Sequence, residues 1–263
     1  MHANQREQYI LDLIGRRGFL SFQEIQTELS ASAATLRRDL DRLDKIGKLR
    51  RVRGGAHSVE TATDDALSSP SLTGSPFHEN AALRLAEKRL IGEAAAKLCS
   101  PGEGVMIDGG STTLQMCPHL AGLELQVLTN SLHIVSALLP QATTRILVPS
   151  GSVFREQNII LAAMGEESMP RFHAPKLFMG AAAIGRNGLM QADVILVAAE
   201  RRLIERANEV IVLVDSSKFS GPSGAVVCEL DDIDVIITDD GISQQDISLL
   251  EEANIKILIV KTS

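Results

Sequence analysis

The sequence predicts an α/β protein made of two unlike parts, a small and mostly helical head and a larger body with a parallel sheet. Charge separates them: residues 1–57 hold 11 Lys/Arg and 7 Asp/Glu, a net charge of +4, whereas the other 206 residues carry −11. Residues 58–80 are rich in Ser, Thr, Pro and Asp and lack hydrophobic periodicity, which predicts a linker. From residue 81 short apolar runs alternate with helix-length segments, the pattern of a mostly parallel sheet.

The composition excludes several classes of protein. The chain is 44% hydrophobic and 22% charged, which is ordinary for a globular protein. Its longest apolar runs, 194–199 and 210–214, are far shorter than the roughly 18 residues of a membrane span, and the first residues lack the apolar stretch of a secretory signal. Three scattered cysteines argue against a disulfide framework, and six histidines show no metal-ligand spacing. We therefore expect a cytoplasmic protein without membrane contact, metal or cofactor.

The head predicts three helices followed by a β-hairpin. Apolar spacing indicates a helix over 5–16 and a short second helix with Ile25 and Leu29 on its buried side, for which Ser21 is the candidate N-cap. Ser32 is a candidate N-cap for a third helix that runs to about Lys45. Residues 48–53 alternate polar and apolar before a Gly-Gly pair, which predicts a small β-wing. Two short helices, a tight turn and a basic third helix are typical of a helix-turn-helix.

The third helix has one apolar side and one basic side. At about 100° per residue, Leu36, Leu40 and Leu43 share the inner side. Small residues and arginines lie opposite, where they can approach base edges or phosphates. The predicted DNA-contacting residues are Ser32, Thr35, Arg37, Arg38 and Arg42 in the helix and Arg51 and Arg53 in the wing. The alternative is a solvated helix whose arginines pair with Asp39 and Asp41.

The sharpest motif of the body is Asp108-Gly-Gly-Ser-Thr-Thr113, which follows a predicted strand and is expected to open a helix. Glycines allow close backbone approach, hydroxyls donate, and free amides favour an anion, so the motif is typical of a phosphate-binding loop. The alternative is a Gly-Ser-Thr turn that only caps a helix. No Lys follows as in a P-loop, and no G-x-G-x-x-G is present.

Further polar clusters follow other predicted strands, at 129–131, 150–151, 180–185 and 215–218. Open α/β sheets bind ligands at this edge, beyond the carboxyl ends of their strands. Lys218 is a natural countercharge for a phosphate there, unless it is only a surface lysine.

Outside the linker, nearly the whole chain resembles the DeoR-type family of transcriptional regulators. The head carries Thr35-Leu-Arg-Arg-Asp-Leu40 and Gly54-Gly-Ala56, and the body carries Glu87-Lys88, the 108–113 motif and Asp215-Ser-Ser-Lys218 in order. The resemblance implies a winged helix-turn-helix domain over 1–57. It also implies an effector domain over 81–263 that is related in fold to ribose-5-phosphate isomerase and binds a phosphorylated sugar. The implied effector-binding residues are Asp108, Gly109, Gly110, Ser111, Thr112, Thr113, Thr129, Asn130, Ser131, Gly151, Arg155, Gly180 and Lys218.

Three segments depart from the family pattern: Ser150-Gly151, the alanine-rich 180–184 and the stretch 190–202. All three are candidates to face the sugar rather than its phosphate, so they bear on which sugar is bound.

The sequence thus predicts a repressor of carbohydrate-metabolism genes that binds operator DNA as a homodimer or homotetramer and is released by a phosphorylated sugar. One alternative is a sugar-phosphate isomerase or deaminase with an accessory DNA-binding head. It is disfavoured because Asp108 is a lone carboxylate and the 180–185 loop holds three alanines where the deaminases carry acidic and His residues. An architectural DNA binder is disfavoured by the large body with its phosphate-type loop.

Overall fold

The structure is a computed structural model that describes residues 6–7, 9–11, 13–14, 19–21, 25–26, 28–29, 33–46, 48–52, 55–58, 77–161, 170–221 and 224–262. The chain divides into two compact units, Met1–Ser69 and Pro70–Ser263. Each unit is described separately below.

The head has the predicted helices and wing. The described residues of 6–14 and 25–28 are helical, and α1 spans Ala33–Lys45. Strands β1 (Phe19–Ser21), β2 (Leu49–Val52) and β3 (Gly55–Ser58) form an antiparallel sheet in the order β1-β3-β2. The buried core confirms the predicted apolar faces and is made of Ile10, Ile14, Ile25, Leu29, Leu36, Leu40, Leu43, Leu49 and Ala56.

The strand β1 is absent from the sequence-based expectation. Ser21 ends this strand and pairs with Gly55 of β3. A three-residue strand that pairs with a segment more than 30 residues away leaves no periodic signal in the sequence. The predicted helix cap Ser32 lies outside the described residues.

The body contains twelve described strands. They are β4 (Gly104–Ile107), β5 (Gln126–Leu128), β6 (Arg145–Leu147), β7 (Ser152–Phe154), β8 (Ile159–Leu161), β9 (Ala174–Met179), β10 (Ala183–Gly185), β11 (Gly188–Gln191), β12 (Ala207–Leu213), β13 (Ala225–Cys228), β14 (Val235–Asp239) and β15 (Lys256–Val260). The helices are α2 (Phe77–Ala82), α3 (Leu85–Ala96), α4 (Leu132–Leu138), α5 (Val194–Ile204) and α6 (Gln244–Glu252). Short 3-10 helices span Thr113–His119, Ser216–Ser220 and Leu230–Asp232.

Seven strands form one parallel sheet in the order β15-β14-β12-β9-β4-β5-β6. All seven coincide with apolar runs that the sequence predicted as strands, at 105–107, 125–128, 145–148, 176–179, 210–214, 235–237 and 255–260. From β4 the chain proceeds through β5 to β6 in one direction, and from β9 through β12 and β14 to β15 in the other. The topological switch point therefore lies between β4 and β9, where open α/β sheets bind their ligands.

Both faces of the sheet are covered, which explains its apolar strands. Val105 and Ile107 of β4 pack in one core with α3, α4 and the 113–119 helix. Met106 packs in a second core with α5, α6 and the small antiparallel sheet β10-β11-β13. That sheet and the β7-β8 hairpin have no counterpart in the sequence-based expectation.

The segment predicted as a linker differs from the expectation at its end. Helix α2 begins at Phe77, so residues 77–80 are helical, whereas residues 59–76 lie outside the described part. The three cysteines are buried free thiols, as predicted. None of the helices that the structure describes is long and apolar enough to cross a membrane.

Candidate DNA-binding surface and effector site

The predicted DNA-reading face of α1 carries one exposed arginine and one that is paired within the head. Arg38 is exposed. Arg42 Nε donates to Glu7 Oε1 at 2.6 Å, although its side chain remains 55% exposed. Arg6 Nε donates to Asp39 Oδ2 at 2.5 Å. Two ion pairs thus join the first helical segment to α1. The partner of Asp39 in one of them is Arg6 of that segment, and not an arginine of α1.

The remaining predicted DNA contacts are described only in part. Thr35 lies half-buried in the first turn of α1. Arg37 lies in α1 and Arg51 in β2, but their side chains are outside the described part, as are Ser32 and Arg53 altogether. Their role at DNA stays a prediction.

The predicted phosphate loop begins where β4 ends, at the switch point, and a hydrogen-bond network holds it. Asp108 is buried, and its Oδ1 accepts from Asn130 Nδ2 at 3.0 Å. Gly109 N donates to Asn130 Oδ1 at 3.1 Å, and Thr113 Oγ1 donates to the Asp108 carbonyl at 2.8 Å. Burial raises the pKa of Asp108, while the hydrogen bonds from Asn130 and Gly109 oppose that rise. The structure therefore brings Asp108, Gly109, Thr113 and Asn130 together.

The middle of this loop presents unused backbone donors. Among the described residues, the amides of Gly110, Ser111 and Thr112 donate no hydrogen bond. The loop opens a seven-residue 3-10 helix rather than an α-helix, because Pro118 lacks an N–H and its ring would clash with the preceding turn. The positive character of this loop therefore comes from its local amides more than from a helix dipole.

Two of the predicted polar residues have structural partners. The Thr129 hydroxyl accepts from Ser131 N at 3.1 Å, and the Ser131 hydroxyl caps α4 by accepting from Ile134 N at 3.4 Å. Ile160 N of the β7-β8 hairpin donates to the Asn130 carbonyl at 2.8 Å. A Cβ on Gly109 would lie 2.7 Å from Ile159 Cγ2, so only glycine fits beneath this hairpin.

The other predicted effector residues lie around the same edge of the sheet. Gly180 directly follows β9, next to the switch point. Lys218 is half-buried in the 3-10 helix after β12. Gly151 and Arg155 flank β7 and are exposed, and in the described part of the chain no hydrogen bond or ion pair joins Arg155 to the 108–113 loop.

A charged cluster lies at the ends of β12 and β14, where the sequence predicted the polar residues 215–218 but gave no sign of Arg84. Arg84 Nη1 donates to Ser216 Oγ at 3.0 Å and lies 3.7 Å from Asp215 Oδ1 and 3.8 Å from Asp239 Oδ2. Lys88, one turn further along α3, is only 2% exposed, and its ammonium donates to the Asn80 carbonyl. Burial lowers the pKa of Lys88 to about 8; Asp215 opposes this shift and Lys218 adds to it.

The buried carboxyl of Glu200 was missed altogether by the sequence analysis. Glu200 of α5 is 4% exposed, and its Oε1 accepts from Gln191 Nε2 at 2.9 Å. Burial and the neighbouring Asp108 raise its pKa well above the ordinary value. It lies inside the 190–202 segment, where departure from the family pattern was the only signal. Among the described residues, no group of three His, Cys, Asp or Glu side chains is placed to hold a metal ion.

A helix-turn-helix head joined to an open parallel α/β body with polar loops at its switch point defines a DNA-binding regulator with a sensor domain. Comparison with known families agrees: the DeoR-like helix-turn-helix domain matches residues 6–62, and the DeoR C terminal sensor domain matches residues 83–240. The chain belongs to the DeoR family of transcriptional regulators.

Individual relatives support the same class. The chain is 30% identical over 260 residues to the HTH-type transcriptional regulator UlaR of Shigella dysenteriae serotype 1, which covers 99% of this chain and 100% of that protein. The identity and both coverages are the same for UlaR of Escherichia coli K12/DH10B. These relatives are regulators rather than enzymes, so the chain is a DNA-binding regulator and not an isomerase or deaminase.

Solved structures show a more distant likeness. Ribose 5-phosphate isomerase A from Methanocaldococcus jannaschii is 17% identical and has a TM-score of 0.38, and the match covers 50% of this chain and 53% of that one. The eIF2B beta structure from Chaetomium thermophilum is 18% identical with a TM-score of 0.38 and covers 58% and 48%. No functional conclusion follows from these two matches.

Proposed function

We propose that this regulator is a cytoplasmic repressor of carbohydrate-metabolism genes, which a phosphorylated sugar releases from its operator. Residues 1–57 bind DNA as part of a homodimer or homotetramer. Residues 58–80 connect this DNA-binding domain to residues 81–263, which bind the effector. One observation carries the proposal: the unused amides of Gly110, Ser111 and Thr112 share the carboxyl edge of the sheet with Lys88 and Lys218.

The distances along the sheet suit a phosphate between these groups. Strand β12, which leads to Lys218, lies two strands from β4, which is about 10 Å at roughly 4.8 Å per strand. Helix α3 begins beside the ends of β12 and β14, because Arg84 contacts Ser216 there, so Lys88 in its first turn lies close to this edge. We therefore propose Lys88 and Lys218 as the cations of a phosphate site whose other side is the 110–112 loop.

Charge favours the same ligand. A buried ammonium is costly, and a second ammonium nearby raises that cost. A phosphate dianion would stabilise both lysines and accept hydrogen bonds from the loop amides at once. An unphosphorylated sugar could accept hydrogen bonds from the amides, but it carries no negative charge to stabilise the two lysines.

The ligand class is tested by melting temperatures of the full chain with sugar phosphates, their unphosphorylated sugars and inorganic phosphate. A ligand that binds only the native state raises the melting temperature. Ser111→Asp, which sets a carboxylate against the phosphate, should abolish the shift by sugar phosphates, whereas Ser136→Asp on the exposed face of α4 should leave it unchanged. Equal shifts from a sugar and its phosphate would contradict a phosphate site.

The direction of control is tested by operator affinity with and without saturating effector. A ligand shifts an equilibrium only through its different affinities for the two states, and a coupling of roughly 1–3 kcal/mol would weaken operator binding about 5- to 150-fold. Tighter operator binding in the presence of effector would refute release.

Analytical ultracentrifugation of the full chain tests the oligomeric state, and a monomer at operator-binding concentrations would contradict the proposed assembly.

A further inference from the structure

Glu200 has one buried carboxyl oxygen that makes no hydrogen bond to the described residues. Its Oε1 accepts from Gln191, but Oε2 is buried and has no hydrogen bond to any residue that the structure describes. The whole residue is 4% exposed. Burying a polar atom without a hydrogen bond costs free energy that the native fold normally avoids.

Both strand and helix geometry direct this carboxyl towards Asp108. Side chains alternate along β4, so Asp108 points to the same side of the sheet as Met106, which packs in the core with α5. On α5 Glu200 lies one turn before Leu203, a member of that core, and so faces the sheet as well. The charge of Asp108 acts on Glu200, which agrees with this placement.

The groups around the two carboxyls are neutral. Asn130 donates to Asp108, and Gln191 donates to Glu200. Within the described ranges, no lysine or arginine forms an ion pair with either carboxyl. With no cation beside the two carboxyls, nothing here compensates the charge of a phosphate, so the phosphate itself does not belong at this place. Hydroxyl groups fit, because each can donate to a carboxylate oxygen and accept from an amide.

We propose that Glu200, with Asp108 and Gln191, binds the hydroxyl groups of the effector and determines which sugar phosphate the protein accepts. A sugar hydroxyl donates to Glu200 Oε2, and a ligand without that hydroxyl leaves the carboxyl unpaired and is rejected. This inference rests on the proposed function, because it takes the phosphate of the same ligand to lie at the 110–112 amides.

The test compares a ligand that has hydroxyl groups with one that has only the phosphate. Affinities for inorganic phosphate and for D-ribose 5-phosphate, D-glucose 6-phosphate and D-fructose 6-phosphate are measured by calorimetry on the full chain. The readout is the preference, the ratio of the dissociation constant for inorganic phosphate to that for the best sugar phosphate. Glu200→Leu should lower this preference about tenfold or more and leave the affinity for inorganic phosphate unchanged. Glu200→Gln keeps the shape and a polar group and should lose less.

The matched control is Glu205→Leu, at the exposed end of the same helix, which should keep the wild-type preference. An unchanged preference in Glu200→Leu overturns the inference and leaves the proposed function standing. If that variant does not fold, an unchanged preference in Glu200→Gln overturns it. If the wild type prefers none of the sugar phosphates over inorganic phosphate, the proposed function fails and the inference fails with it.

Discussion

Replacing Lys88 with methionine should stabilise the ligand-free protein at neutral pH. Lys88 is 2% exposed, and its ammonium faces Lys218 as well as the partly compensating Asp215. Methionine keeps the length of the buried stem and removes the charge.

The magnitude follows from the pKa. Burial lowers the pKa of Lys88 from 10.5 to about 8, and at about 1.36 kcal/mol per unit this corresponds to a cost of about 3 kcal/mol below pH 8. The variant also loses the hydrogen bond to the Asn80 carbonyl, worth about 1 kcal/mol. We therefore expect Lys88→Met to raise the free energy of unfolding by about 2 kcal/mol at pH 7.

The gain should depend on pH in a defined direction. The pKa of the folded state lies below that of the unfolded state, so the unfolded chain binds more protons between about pH 8 and 10.5. Wild-type stability therefore rises across this window as the cost of the buried ammonium disappears. The advantage of Lys88→Met should shrink over the same window.

The assay is urea unfolding of the full chain at pH 7, 8 and 9, followed by circular dichroism because the chain has no Trp and one Tyr. Lys97→Met is the control: Lys97 ends the same helix, is 71% exposed and pairs with Glu93, so its loss should change stability by under about 0.5 kcal/mol. A Lys88→Met variant less stable than wild type by the same amount at all three pH values would refute the reasoning.

Two further changes test the head and the coupling of effector to DNA. Arg38→Ala should weaken operator binding by roughly 1–3 kcal/mol if Arg38 contacts a base edge, as measured by gel shift. The control Arg89→Ala on the body should leave operator affinity unchanged. Unchanged affinity in Arg38→Ala would show that Arg38 does not read the operator sequence. Phe77 stacks on His133 at 4.0 Å and donates its N–H to Glu156 of the hairpin that covers Gly109. Phe77→Leu should therefore reduce effector-induced operator release while effector affinity stays near wild type, with Phe172→Leu as control. If effector releases the Phe77→Leu variant from its operator as fully as the wild type, the contacts of Phe77 do not transmit the effector signal.

The sequence was most informative where a signal is local. Seven continuous apolar runs predicted the seven strands of the parallel sheet, because strands buried on both faces need apolar residues at successive positions. The leucine spacing of α1 predicted its buried face in the same way. The 108–113 motif was placed correctly at the end of β4, since it directly follows the apolar run that forms this strand.

Short elements and long-range contacts were beyond sequence reasoning. Strand β1 is three residues long and is stabilised by β3, more than 30 residues later. The helix expected after the 108–113 motif is a 3-10 helix that contains Pro118, and the sequence pattern did not specify its type. Arg42 was expected to face outward, which it does in part, but nothing in its neighbourhood in sequence revealed Glu7 as its partner.

The amino-acid sequence by itself determined the class of this protein: a basic helix-turn-helix head and a parallel α/β body follow from periodicity, composition and short motifs. Only the tertiary structure decided which polar groups meet at the effector site. Asp108 and Glu200 are 92 positions apart in the chain, and their carboxyls interact because β4 and α5 pack in the same core. Local patterns record which residues are buried, whereas the partner of a buried charge depends on how distant elements pack.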